Sequence, residues 1–308
     1  MLMSHKIFLK FALLMVHIFA GVANPIGTRA SEDLVQTPAG LFPISNVHAV
    51  PLGARVHQTP TAVQVIAANG TVIHSAPITL NPAVIPLQKP GNLSSSSRRA
   101  LRSGYVVYTD WENIDPSPIS FFATSWTVPP TPATYDGQLL YWFNGLVPNS
   151  YDGILQPVLQ FGFSPAGGGP YYSLASWYLI NSNVYHTNIT PVQPGQGLAG
   201  YMTLEQTSMS GSTTTYDWQS TFVGFPATTL SATTTQVLNG AYEVLEIYTT
   251  QTTSDLPTGS TAFEHINIVT QNEQNPIILW NAVSDTSDGI SMSVISSSSI
   301  DGAVKVTY

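Results

Sequence analysis

The chain has no cysteine among its 308 residues, so disulfides cannot staple it and no thiolate can hold a metal ion. It must rely on its own core, which is feasible, since a domain of about 200 residues can bury roughly 70% of its unfolded surface. Positive charge is scarce as well. The basic residues are Lys6, Lys10, Arg29, Arg55, Lys89, Arg98, Arg99, Arg102 and Lys305, so only Lys305 lies beyond Ser103. Fifteen acidic residues lie there, giving that stretch a formal charge of −14. Such a surface repels nucleic acid and anionic lipid, because the basic patches those partners need are missing. With so little Lys and Arg it also avoids strong positive self-repulsion once its carboxylates protonate below about pH 4, so operation in acid is expected.

Long hydrophobic runs are absent too. The longest apolar stretch, Phe11 to Val22 after Lys6 and Lys10, falls short of the ~20 residues that cross a bilayer, and no later segment is long or apolar enough to cross one. Residues 1–23 read as a signal peptide, with Gly21 and Ala23 small enough to precede a cut near Asn24. A secreted, extracellular protein is therefore expected, with no membrane association after signal cleavage. The sequons at Asn69, Asn92 and Asn188 fit that route and are candidate glycosylation sites.

Residues 24–102 alternate Pro-rich turns with short β-like pieces, such as Ala62 to Ala67 and Thr71 to His74. They end in a serine run, Ser94 to Ser97, followed by Arg98-Arg99 and Arg102, the kind of stretch that a secretory processing protease cuts. This leader reads as a propeptide, or else as a small β module on a linker. From residue 103 to 308 the pattern is period 2, in about twelve short runs of β-branched and aromatic residues divided by Gly, Pro, Asn and Ser/Thr. That spacing predicts an all-β domain, sandwich or barrel.

Familiar enzyme signatures are missing: no Gly-rich phosphate loop, no Gly-x-Ser-x-Gly elbow, no His-Glu-x-x-His zinc motif. Only His186 and His265 lie beyond residue 103, so a Ser-His-Asp triad or a metal site has little to draw on, and neither a metal nor a cofactor is expected.

What is present is carboxylates and amides on strands. In the run from Ala241 to Tyr248, alternation puts Tyr242, Val244, Glu246 and Tyr248 on one face and Glu243, Leu245 and Ile247 on the other. From Gly153 to Gly162 it puts Gln156, Val158 and Gln160 together, opposite Leu155, Leu159 and Phe161, with Pro157 suggesting an edge or a bend. A glutamate and a glutamine suffice for peptide hydrolysis. The carboxyl relays protons between water and the leaving amine, and the amide N–H steadies the oxyanion.

The order Tyr141-Trp142-Phe143, Val158-Leu159-Gln160-Phe161-Gly162, Ala175-Ser176-Trp177-Tyr178, Pro194-Gly195 and Ala241 to Glu246 resembles the eqolisins, the fungal glutamic peptidases. That resemblance implies a two-sheet antiparallel β-sandwich of the concanavalin A-like jelly-roll kind, made with a signal and a propeptide and acting on polypeptide in acid. It implies catalysis by Gln160 and Glu246, with Gln156, in Ile154-Leu155-Gln156, as the alternative amide and Trp142 and Trp177 flanking the substrate cleft. The family's Gly-Ile-Asp-Gly is Asn144-Gly145-Leu146-Val147 here, and its cysteines are gone.

A rival reading is a non-catalytic, lectin-like sandwich or cell-wall protein, in which Trp111, Trp126, Trp142, Tyr171, Tyr172, Trp177 and Trp218 stack on polysaccharide. In either case a monomer is expected.

Overall fold

The alternating runs form strands throughout the computed structural model, which describes residues 33–78, 101 and 103–308. The signal segment, Asn92, the serine run and Arg98, Arg99 and Arg102 lie outside the described residues. Strands β1 (Leu34–Thr37), β2 (Gly40–Pro43), β3 (Val47–Ala49), β4 (Arg55–Gln58), β5 (Ala62–Ile66) and β6 (Val72–Pro77) come from the leader. The next seven are β7 (Gly104–Glu112), β8 (Ile119–Thr127), β9 (Leu139–Pro148), β10 (Gly153–Ser164), β11 (Gly167–Ile180), β12 (Asn183–His186) and β13 (Thr190–Pro191). After them come β14 (Gly197–Ser210), β15 (Thr213–Phe222), β16 (Phe225–Thr234), β17 (Leu238–Tyr248) and β18 (Ser260–Thr270). The last are β19 (Asn281–Val283), β20 (Ser291–Ser296) and β21 (Gly302–Thr307).

Two large sheets pack face to face as a sandwich. The first runs β19-β7-β17-β9-β10-β11-β12-β3, with β13 beside β11, and the second runs β20-β21-β18-β8-β14-β15-β16-β4-β5-β6. Between them lies a core that includes Phe122, Trp126, Trp142, Leu159, Trp218, Leu245 and Phe263. Burying each such side chain contributes about 1.5–3 kcal/mol, which lets a chain without disulfides hold its shape. A second apolar cluster covers the outer face of the first sheet and contains Tyr141, Phe143, Val158, Trp177, Tyr242, Val244 and Tyr248.

The leader's strands belong to these sheets. β3 pairs in parallel with β12, and β4 pairs in parallel with β16, so the antiparallel sandwich has two parallel seams where the leader joins. Val56, Val63 and Val65 are buried in the inter-sheet core. β1 and β2 form a separate hairpin, and Phe42 on it is buried against the outer-face cluster.

β10 corrects the expectation that Pro157 marks an edge or a bend. The strand is central, paired with β11 on one side and β9 on the other. The ladder to β9 passes from Leu155↔Leu146 to Val158↔Phe143 and leaves out Gln156 and Pro157, so the missing N–H is absorbed there.

Candidate functional site

The expected faces of β10 and β17 are the observed ones. Leu155, Leu159, Leu245 and Ile247 point into the inter-sheet core, and Val158, Val244 and Tyr248 belong to the outer cluster. Gln156, Gln160 and Glu246 therefore share the outer face of the first sheet.

Glu246 is 1% exposed. The Tyr248 hydroxyl donates to its Oε1, while Oε2 has no partner among the described residues. Burial pushes its pKa well above the ordinary carboxylate value, and the Tyr248 bond opposes that only partly. Burial, and then the nearby Glu246 carboxyl, likewise raises the Tyr105 and Tyr141 phenols. The result is a proton-holding carboxyl ringed by phenols.

Register decides which amide accompanies it. Glu246 is opposite Tyr141 on β9, and Tyr141 is opposite Gln160 on β10. Gln160 is thus in Glu246's row, two strands or about 10 Å away, with Tyr141 between them. Its amide is committed elsewhere. Nε2 donates to the Gly167 carbonyl at 2.9 Å and to the Gly162 carbonyl at 3.4 Å, and Oε1 accepts from Ser164 Oγ at 3.0 Å. Those bonds fasten the β10–β11 turn.

Gln156 has a different environment. It lies four residues further along β10, about 13 Å by strand rise. Its row continues through Gly145 on β9 to Tyr242 on β17, a phenol where a catalytic pair would need a carboxyl. A Cβ at Gly145 would lie 2.8 Å from Ile154 Cδ1 and 3.6 Å from Gln156 Cβ, so the Ile154 side chain fills the space over Gly145 beside Gln156. Gln156 Nε2 donates to the main-chain carbonyl of Pro38, in the turn of the leader hairpin. Two residues before Pro38, the Tyr141 hydroxyl donates to the Gln36 carbonyl at 3.4 Å, and Gln36 Nε2 donates to Thr249 Oγ1 at 3.2 Å. A piece of polypeptide thus runs along this face with one carbonyl on Tyr141, beside Glu246, and another on Gln156.

The two tryptophans separate. Trp177 is directly opposite Gln156 and belongs to the outer cluster, so it lies on the face that carries Gln156 and Glu246. Trp142 does not. It alternates into the inter-sheet core, where its indole N–H donates to Tyr308 OH at 2.7 Å. Trp126, Tyr172 and Trp218 are buried in the same core, which removes most of the aromatic platform a lectin reading requires. Asn69 and Asn188 are exposed, as glycan acceptors must be.

Glu243 points the other way, between the sheets, opposite Asn144 on β9. Thr124 Oγ1 donates to its Oε1, and burial raises its pKa well above the usual range. Among the described residues, no group of three or more His, Cys, Asp or Glu is arranged to hold a metal ion.

Tyr141 is the groove residue that sequence reasoning missed. Its place between two strands bearing Gln160 and Glu246 is set by β9 register, which no short motif announces.

No family model matches the chain, and no curated protein does. Among solved structures it is similar to scytalido-glutamic peptidase with a peptide-based transition-state analogue, at 11% identity and a TM-score of 0.42. It is also similar to SCP-B, a member of the eqolisin family of peptidases, in complex with a tripeptide, at 11% identity and a TM-score of 0.40. Each likeness covers 67% of this chain and 98% of the other. These are peptidases of the kind the motif order resembles, but at such identity and TM-score the likeness assigns this chain no activity.

Proposed function

We propose that this protein is a secreted, peptidase-like hydrolase that takes an extended polypeptide on the outer face of its first sheet and acts in acid. The carrying observation is the leader hairpin itself, which lies there with main-chain carbonyls on Tyr141 and Gln156. Glu246 is the proton-transfer group. Held with its proton by burial and oriented by Tyr248, it exchanges protons with an attacking water and the leaving amine. The Tyr141 hydroxyl, beside it, donates to the carbonyl under attack, and Gln156 holds a second carbonyl along the same chain.

A second reading rests on Tyr242. Since Gln156 faces a phenol across Gly145, the face could hold a peptide without cutting it.

Digestion of a denatured protein by the full chain at pH 3 and pH 7, beside Glu246→Gln, decides between them. Cleavage at pH 3 that falls at least about 100-fold in Glu246→Gln is expected. Cleavage that survives the substitution overturns the role of Glu246. Peptide binding lost in Gln156→Ala, with no cleavage at either pH, leaves the binding reading.

A further inference from the structure

Seven histidines occur in the chain, and five of them lie in described residues: His48, His57, His74, His186 and His265. All but His265 are where the leader meets the sandwich. His48 is on β3, the edge of the first sheet, opposite Tyr185 of β12. His74 is on β6, the edge of the second sheet, opposite Val65 of β5. Their rings pack against each other, tilted by 35°, with centroids 3.9 Å apart, joining the edge strands of the two sheets. Tyr185 is 5.3 Å from His48, and His186, next to Tyr185, stacks on Trp177 at 4.8 Å.

We propose that His48, packed against His74, is an acid-opened latch: its protonation drives the leader strands off the edges of the two sheets and bares the face beneath the β1–β2 hairpin.

The nitrogen inventory supplies the force. His48 Nε2 and His74 Nε2 are both buried without a hydrogen-bond partner. A neutral imidazole can leave one nitrogen bare at modest cost, but an imidazolium must bury a charged N–H with no acceptor. The groups facing His48 are His74 from β6 and His186, Tyr185 and Asn183 from β12, with no carboxylate among those acting on it. Burial first, then His74, holds the His48 pKa down to about 4, and the Asn183 bond opposes this only in part. His186 is also lowered, by burial, while its Nδ1 meets the Thr187 carbonyl at 2.9 Å. Burial and then Arg55 lower the His57 pKa, and Asp217 opposes them only in part; His57 is not assigned to the latch because, unlike His48, it has a carboxylate facing it.

The sign follows from linkage. A histidine whose docked value lies below its free value of 6.5 leaves docking intact above that pH. Docking then weakens as pH falls toward about 4, by at most tenfold per pH unit for each titrating proton. Only Ile44–Asn46 separate β2 from β3, so loss of β3 pulls directly on the hairpin that covers Tyr141 and Gln156. The groove would open under the conditions in which a protonated Glu246 is stable.

Hydrogen exchange of the full chain, corrected for intrinsic rates, tests this between pH 7 and pH 4. Protection of residues 34–49 should fall at least 100-fold across that range, while β9 and β17 keep theirs. The double variant His48→Phe, His74→Phe keeps two aromatic rings there without the His48 imidazole, and should hold residues 34–49 within tenfold of their pH 7 protection. His74→Gln alone should move the loss to lower pH. Protection that persists to pH 4 in the parent chain overturns the latch, and so does loss at unchanged pH in both variants. The readout is docking, so absence of peptide cleavage in the same samples would count against Glu246 chemistry and leave the latch standing.

Discussion

The side-chain amide of Gln156 donates to the main-chain carbonyl of Pro38, so a residue of the sandwich holds the backbone of the leader. The anchor beside this contact is Phe42, 2% exposed within the cluster that contains Tyr141 and Trp177. Truncating a buried phenylalanine costs about 3–5 kcal/mol. Phe42→Ala should therefore release the hairpin at pH 7 while the sandwich stays folded. Limited proteolysis checks it: cutting within residues 34–43 should accelerate at least about 100-fold, with the main urea transition nearly unchanged. Equal cutting rates would mean that something other than Phe42 holds the hairpin.

Gln160 and Gln156 should part company when each is replaced by alanine. Gln160→Ala strips partners from Ser164 and from the Gly167 and Gly162 carbonyls at once. Leaving buried polar groups unpaired costs about 1–3 kcal/mol, so urea unfolding should show a loss of that size. Gln156→Ala should cost the sandwich less than about 1 kcal/mol and weaken its hold on peptide. The reverse ranking would return Gln160 to the functional role that motif order suggested.

The two glutamines show where sequence reasoning stops. Period-2 alternation was enough to assign faces on β10 and β17, because a strand that puts Leu155 and Leu159 in the core has no choice about Gln156 and Gln160. It could not say which residues face each other across strands, since that is set by pairing among β17, β9 and β10. β12 was hidden for another reason: Asn183 to His186 is four residues long and bounded by polar residues, and only its neighbours β11 and β3 make it a strand. The apolar run from Ile277 to Ala282 yields only the short strand Asn281–Val283, and Ile277 and Leu279 are exposed. The parallel seams of the leader were also illegible, because nothing local to β3 or β4 names a partner more than a hundred residues away.

Two buried carboxyls make stability depend on pH in a stated direction. The folded-state pKa values of Glu243 and Glu246 are raised by burial above their unfolded values. Both groups are therefore at no disadvantage below about pH 4.5, and each costs stability as pH rises toward its folded value, at about 1.4 kcal/mol per pH unit. Glu243→Gln keeps the shape, can still accept from Thr124, and removes one of the two ionisations. Urea unfolding at pH 4 and pH 7 should show the variant more stable than the parent at pH 7 by at least about 1 kcal/mol, with the difference shrinking at pH 4. A parent chain whose sandwich grows more stable from pH 4 to pH 7 would contradict this reading of both residues.

Two glycines near the groove should differ in how much alanine costs them. Gly168 has φ +124, and a Cβ there would sit 2.2 Å from the Gly162 carbonyl oxygen and 2.7 Å from Gln160 Nε2. Backbone cannot step aside as a side-chain tip can, so Gly168→Ala should cost at least about 3 kcal/mol in urea unfolding. At Gly145 the nearest atom is Ile154 Cδ1, at 2.8 Å, the flexible end of a side chain that can rotate away. Gly145→Ala should therefore cost about 1–3 kcal/mol, the range for overpacking, and leave the fold intact. It should also displace Ile154 beside Gln156 and so weaken peptide binding at least tenfold. A Gly145→Ala chain that binds peptide as the parent does would show that the Gln156 row is not part of the groove.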